Sequence, residues 1–311
     1  MYLIVNLLHI CKSDITKSYI SKSAFRHSPQ SATFGFVLIK HNQYLMDVLA
    51  KNNVHVTGNL HATETIIFGH GFGIDQTSFS AITPAFQDKY RIVLYDNVGG
   101  GNADINAFSS SRYSGLQGFV TDLEDICNHL HFPDAIYVGH SVSGVVGLLC
   151  SIKNPSFFSK IVLLGASPRY LNDEQSSYVG GFSQADLDGL YGAMRSNFQA
   201  WASGFSALAM RNADKPFLAE AFARSLSALR PDIALIIAKA IFESDHRKDL
   251  TKLNIPALIV QTSNDIAVPK AVGDYMNMHI PVSRLTTVAT EGHFPHMSAP
   301  EEVINAILSF I

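Results

Sequence analysis

An α/β fold with a mostly parallel central sheet flanked by helices is predicted by three observations. Short apolar, β-branched runs recur along the chain, each bounded by glycine, proline or polar residues. One of these runs ends at a serine that turns sharply into an apolar helical stretch. An aspartate and a histidine then follow two later runs, giving the order Ser, Asp, His along the chain.

The elements follow in order. Residues 65–68 (Thr-Ile-Ile-Phe) read as a strand that empties into Gly69-His70-Gly71-Phe72-Gly73, where glycines on both sides of Phe72 let backbone N–H groups point into a cavity. A phosphate-binding loop is the rival reading, but no Lys-Ser/Thr follows and the spacing lacks the dinucleotide fingerprint. Residues 134–138 read as a buried strand and residues 144–149 as a packed helix, with Gly139-His140-Ser141-Val142-Ser143 between them. A nucleophile held on such an elbow needs small residues two before and two after it, because strand and helix pass close by. Gly139 and Ser143 meet that need, although the second position departs from the usual glycine.

Residues 255–261 read as a later strand leading to Asn264-Asp265, and residues 285–289 as another leading to Gly292-His293-Phe294-Pro295-His296. Ser141 is thus the predicted nucleophile, His293 the base and Asp265 the acid that orients it. The backbone amides of Phe72 and Val142 are the predicted oxyanion hole. His296, next to a final helix over residues 300–311, reads as a supporting or capping residue. No metal is expected, since His293 and His296 lack the helical spacing and a third ligand, and the chemistry calls for no cofactor.

Five segments in register carry a resemblance: Gly69 to Gly73, Leu94-Tyr95-Asp96-Asn97, Gly139 to Ser143, Ser167-Pro168-Arg169-Tyr170 and Gly292 to His296. From about residue 53 onward the chain resembles the α/β-hydrolase subfamily that holds the plant strigolactone and karrikin receptors and the bacterial sigma-B stress-response regulator hydrolase. That subfamily also has serine at the second small position of the elbow. The resemblance implies an α/β-hydrolase fold with an inserted four-helix lid and a cavity lined by Phe72, Tyr170, Leu190, Trp201, Phe205, Phe222, Phe242 and Ile266.

The residues themselves support helices in the lid. Ser183 with Asp186 makes a capping box, Asn197 and Asp214 offer caps, and Pro231 suits a first helical turn. The expected organisation is a hydrolase core over residues 46–168 and 247–311, a lid over 169–246 and a poorly ordered extension over 1–45. The extension opens on an apolar stretch too short to span a bilayer and without a basic leader region, so at most a weak leader signal remains.

A length of 311 residues and an apolar content of 47% suit one core with an inserted cap. A net charge of -3 gives no footprint for nucleic acid or an anionic membrane. Three widely spaced cysteines, Cys11, Cys127 and Cys150, fit reduced thiols in the cytoplasm. The expected function is hydrolysis of a small lipophilic ester or lactone. The alternative is a ligand-sensing protein in which hydrolysis is slow or secondary, with a signalling protein as partner, and a binding module without catalysis is the third.

Overall fold

The computed structural model describes residues 48–311. The extension expected over residues 1–45 lies outside the described residues. Seven strands form one sheet: β1 (His55–Gly58), β2 (Thr65–Gly69), β3 (Arg91–Tyr95), β4 (Ala135–His140), β5 (Phe158–Leu164), β6 (Ala257–Asn264) and β7 (Ser283–Glu291). Their spatial order is β1-β3-β2-β4-β5-β6-β7, and every neighbouring pair is parallel except β1 with β3.

The apolar runs become strands because both faces of the sheet are covered. Ile67, Tyr137, Ile161, Leu163 and Ile259 point into one core cluster, and their neighbours Ile66, Phe68, Val138, Val162 and Val260 into another. Helices α1 (Gln117–Leu130) and α2 (Val142–Lys153) bring Leu123 and Val145 to the first cluster. Completely buried side chains such as Ile66 and Phe68 each contribute about 1.5–3 kcal/mol. Strand β1 is absent from the sequence-based reading: its four residues alternate between exposed and half-buried on the sheet edge, so no apolar run marks it.

Between β5 and β6 the chain forms α3 (Gln184–Ser196), α4 (Phe198–Met210), α5 (Pro216–Ser227) and α6 (Pro231–Phe242). The Ser183 and Asp186 capping box forms, Asn197 accepts from the Ala200 N–H, and Pro231 opens α6. Asp214 is not a cap. Pro216 sets the start of α5, so Lys215 takes the cap position and bonds through no side-chain atom there. After β6 come α7 (Lys270–His279), a short α8 (Pro295–Ser298) and α9 (Pro300–Leu308). The final helix therefore stops short of residue 311, and His296 sits inside α8.

The chain runs from β2 outward to β3, then returns across β2 to β4. At such a reversal the loops leaving the C-terminal ends of two adjacent strands diverge and open a crevice. The glycine loop after β2 and the serine after β4 both lie there, with Gly69 paired to Gly139 at the strand ends.

Candidate active site

Ser141 occupies the turn between β4 and α2 with φ 54° and ψ -123°, a left-handed backbone that side chains rarely adopt. The turn is tight enough that a Cβ on Gly139 would lie 2.6 Å from the Gly144 nitrogen. Ser143 does more than fit: its hydroxyl donates to the His70 carbonyl at 2.5 Å and accepts from Asn97 Nδ2 at 3.1 Å, tying the elbow to the glycine loop.

His293 follows β7 and Asp265 follows β6, adjacent parallel strands, so their loops meet above the sheet. The Asp265 carboxylate divides its acceptors. Oδ1 takes the Ala267 and Val268 N–H groups at 2.8 and 3.1 Å, which fixes the loop, and Oδ2 takes His293 Nδ1–H at 2.7 Å. The proton on Nδ1 leaves Nε2 as an acceptor, and the Ser141 hydroxyl lies 2.8 Å from it. All three residues are buried. The structure therefore brings Ser141, His293 and Asp265 into one hydrogen-bonded chain.

Tyr170 adds a contact that no sequence signal gives. Its hydroxyl lies 3.2 Å from Ser141 Oγ, and burial raises its pKa, so it stays protonated and donates to the serine oxygen.

Val142 opens α2, where first-turn amides have no acceptor within the helix. The loop carrying Phe72 is held by His70, whose roles are fixed by its partners. The Asn97 N–H donates to Nε2 at 2.9 Å, so the proton sits on Nδ1 and goes to the Gly71 carbonyl at 2.8 Å. Nε2 lies 3.7 Å from Asp96, but without a proton there the pair is not a salt bridge. Asp96 instead anchors the surrounding loops by accepting from the Gln76 and Asn102 N–H groups. His70 and Asp96 both stand in the sequence segments singled out above, but only the fold reveals what they hold.

A small, largely apolar cavity opens over Ser141 and His293. Of the side chains expected to line it, Phe72, Tyr170, Phe205, Phe222 and Phe242 do so. Three do not. Leu190 packs on the main core, Trp201 stacks on Phe205 and Phe198 one helical turn away from the cavity, and Ile266 gives its place to Ala267 as the chain turns around Asp265. Ala209, Ile241 and Phe294 complete the wall. A second apolar cavity shares Phe72 and Ile241 with the first and extends behind the glycine loop toward Val146 and Ile237.

His140 is buried, and its Nε2–H donates to the His293 carbonyl at 2.8 Å. Burial first, then the neighbouring His296 and His293, push its pKa well down, which keeps it neutral. His296 stacks on Phe79 at 4.8 Å and finds no hydrogen-bond partner among protein groups for either ring nitrogen. It neither caps a helix nor bonds to the site. Among the described residues, no three His, Cys, Asp or Glu side chains converge to hold a metal ion.

The family model for the alpha/beta hydrolase fold matches residues 64–300. The chain belongs to the α/β-hydrolase family. Within it, this hydrolase is 42% identical to the strigolactone esterase RMS3 of Pisum sativum, over 81% of this chain and 94% of that protein. It is 41% identical to the karrikin insensitive 2 receptor CA of Petunia hybrida, over 84% and 95% of the two chains. Among solved structures, a hydrolase from Oleispira antarctica matches with a TM-score of 0.82 at 33% identity, covering 86% of this chain and 96% of that one. The resemblance to the plant receptors is thereby shown, whereas the bacterial regulator stays an expectation. Among the described residues, no helix is long and apolar enough to cross a membrane.

Proposed function

We propose that this hydrolase cleaves small lipophilic carboxylic esters or lactones through an acyl-enzyme. The observation that carries this reading is the hydrogen-bonded chain from Ser141 through His293 to Asp265, at 2.8 and 2.7 Å, on the wall of an aromatic cavity. His293 Nε2 takes the Ser141 proton as the serine oxygen attacks the carbonyl carbon, and Asp265 stabilises the imidazolium that forms. The Phe72 and Val142 amides receive the negative charge on the carbonyl oxygen, a donor pair of which each member is worth roughly 3 kcal/mol of barrier. His293 returns the proton to the departing alkoxide, then takes one from water as its oxygen attacks the acyl carbon, and gives that proton to Ser141 Oγ as the acyl–serine bond breaks and the acid leaves. No cofactor enters these steps. Phenyl rings around the scissile bond favour an apolar ligand, because a charged one would lose its hydration without a partner.

The relatives named as a strigolactone esterase and a karrikin receptor support a second role, in which ligand occupancy is signalled to a protein partner. Buried free thiols at Cys127 and Cys150 fit the cytoplasm as the place of action. The test is Ser141→Ala against wild type on p-nitrophenyl acetate. Turnover is expected to fall by about 10³-fold or more, and activity that survives the substitution would remove Ser141 from the mechanism. A physiological response that persists in Ser141→Ala would separate sensing from hydrolysis.

A further inference from the structure

The loop that carries His293 is held from two sides. From the core, Thr262 Oγ1 donates to the Gly292 carbonyl at 2.7 Å, the Gly292 N–H to the Asn264 carbonyl at 2.9 Å, and His140 to the His293 carbonyl. From the lid, the end of α4 reaches down, and the His293 N–H donates to the Ala209 carbonyl at 2.8 Å. The approach is so close that a Cβ on Gly292, which has φ +84°, would lie 2.2 Å from the Met210 carbonyl oxygen.

Asn212 fastens this junction. Its Nδ2 donates to the Met210 carbonyl at 2.8 Å and to the Glu291 carbonyl at 2.7 Å, bridging the last turn of α4 to the residue just before Gly292. Its Oδ1 accepts from Thr290 Oγ1 at 3.1 Å, and the Thr290 hydroxyl lies 3.1 Å from Ser298 Oγ in α8. Arg211 and Asn212 both take positive φ, 50° and 49°. Such backbone costs energy in residues other than glycine and persists where surrounding contacts over-determine it. Here the Arg211 to Glu291 contact at 3.4 Å and the Asn212 bridge supply those contacts, and the strained turn aims the α4 carbonyls at the His293 loop.

We propose that Asn212 is a positioning residue for the base, joining the end of lid helix α4 to the His293 loop so that the two move as one body. Without the bridge, the end of α4 frays, the Ala209 carbonyl leaves the His293 N–H, and the imidazole loses one of the constraints that align Nε2 with Ser141. This proposal rests on His293 acting as the base.

Asn212→Gly tests it, since glycine keeps the left-handed backbone and removes only the bridge. Asn212→Asp keeps the acceptor for Thr290 but loses both donors. Each variant is compared with wild type and Ser141→Ala for kcat and KM on p-nitrophenyl acetate and for thermal midpoint. In both Asn212 variants kcat is expected to fall about tenfold with KM nearly unchanged. Wild-type kcat in either variant, or a rise in KM alone, would overturn the proposal. So would a kcat loss accompanied by a rise in KM and a lower thermal midpoint, since that is what general loosening of the fold produces. If Ser141→Ala itself retains turnover, the triad reading fails; if Ser141→Ala is dead and Asn212→Gly is normal, only the positioning role fails.

Discussion

His296 gives the fold a specific sensitivity to mild acid. Its ring is completely buried between Phe79 and His140, and burial, reinforced by the nearby His293, lowers its pKa from the ordinary 6.5 to about 3. The folded-state value is the depressed one, so on acidification the unfolded chain binds the proton first. Stability from this residue is fully present above about pH 6.5, declines at about 1.4 kcal/mol per pH unit below that, and stops declining near about pH 3. Between about pH 7 and about pH 5 the unfolded imidazole passes from mostly neutral to almost fully protonated while the folded one stays neutral, a loss of about 2 kcal/mol. His140, also completely buried and with its pKa pushed well down, acts in the same direction. Asp245, held near 2 by its arginine neighbours against the cost of burial, stays ionised throughout this range and does not contribute.

The perturbation is His296→Phe, which keeps an aromatic ring against Phe79 and removes two ring nitrogens that have no hydrogen-bond partner among protein groups. Urea unfolding, followed by circular dichroism and by fluorescence of the single tryptophan Trp201, gives stability at several pH values. The loss between about pH 7 and about pH 5 is expected to shrink by about 2 kcal/mol in the variant. Overpacking by the larger ring shifts the whole curve and leaves this difference intact. An unchanged pH dependence would show that His296 does not enter the acid transition as a buried neutral group, and the reasoning would fail.

Three further outcomes are expected. Gly71→Ala places a Cβ 2.5 Å from His140 Nδ1 and 3.1 Å from Ser141 Cβ, so the Phe72 loop must shift; steady-state kinetics should show kcat reduced about 10²-fold, the scale of one lost oxyanion donor. Asp265→Asn should reduce kcat by about 10⁴-fold with KM little changed, because an amide in place of Oδ2 favours the wrong tautomer of His293. Phe242→Ala, which strips a phenyl ring from the cavity wall, should raise KM for p-nitrophenyl butyrate about tenfold, whereas Leu190→Ala, outside the wall, should leave it unchanged.

Ser141 and Asp265 were legible because β4 and β6 are buried parallel strands, which leave an apolar run in the sequence that a loop residue can be counted from; the edge strand β7 has only Val288 buried, so His293 was marked as much by the glycine before it as by the strand. Edge strand β1 left no such run, and its antiparallel pairing with β3 depends on residues far apart in sequence. The same limit applies within the four helices between β5 and β6. These helices are marked by local signals, a capping box at Ser183, a cap at Asn197 and a proline at Pro231, but which faces meet the cavity is decided by how the helices pack on one another. Trp201 and Phe205 lie four residues apart on one face of α4, yet only Phe205 reaches the cavity. Polar contacts were the least legible, because their partners are distant in the chain. Ser143 satisfies a steric demand that sequence can state, but its bonds to the His70 carbonyl and Asn97 exist only once β2, β3 and β4 stand side by side. Serine at that position therefore contributes something glycine cannot, a fixed link between the nucleophile's turn and the loop that presents the Phe72 amide. A missing glycine in the elbow thus marks where the two halves of the site are joined.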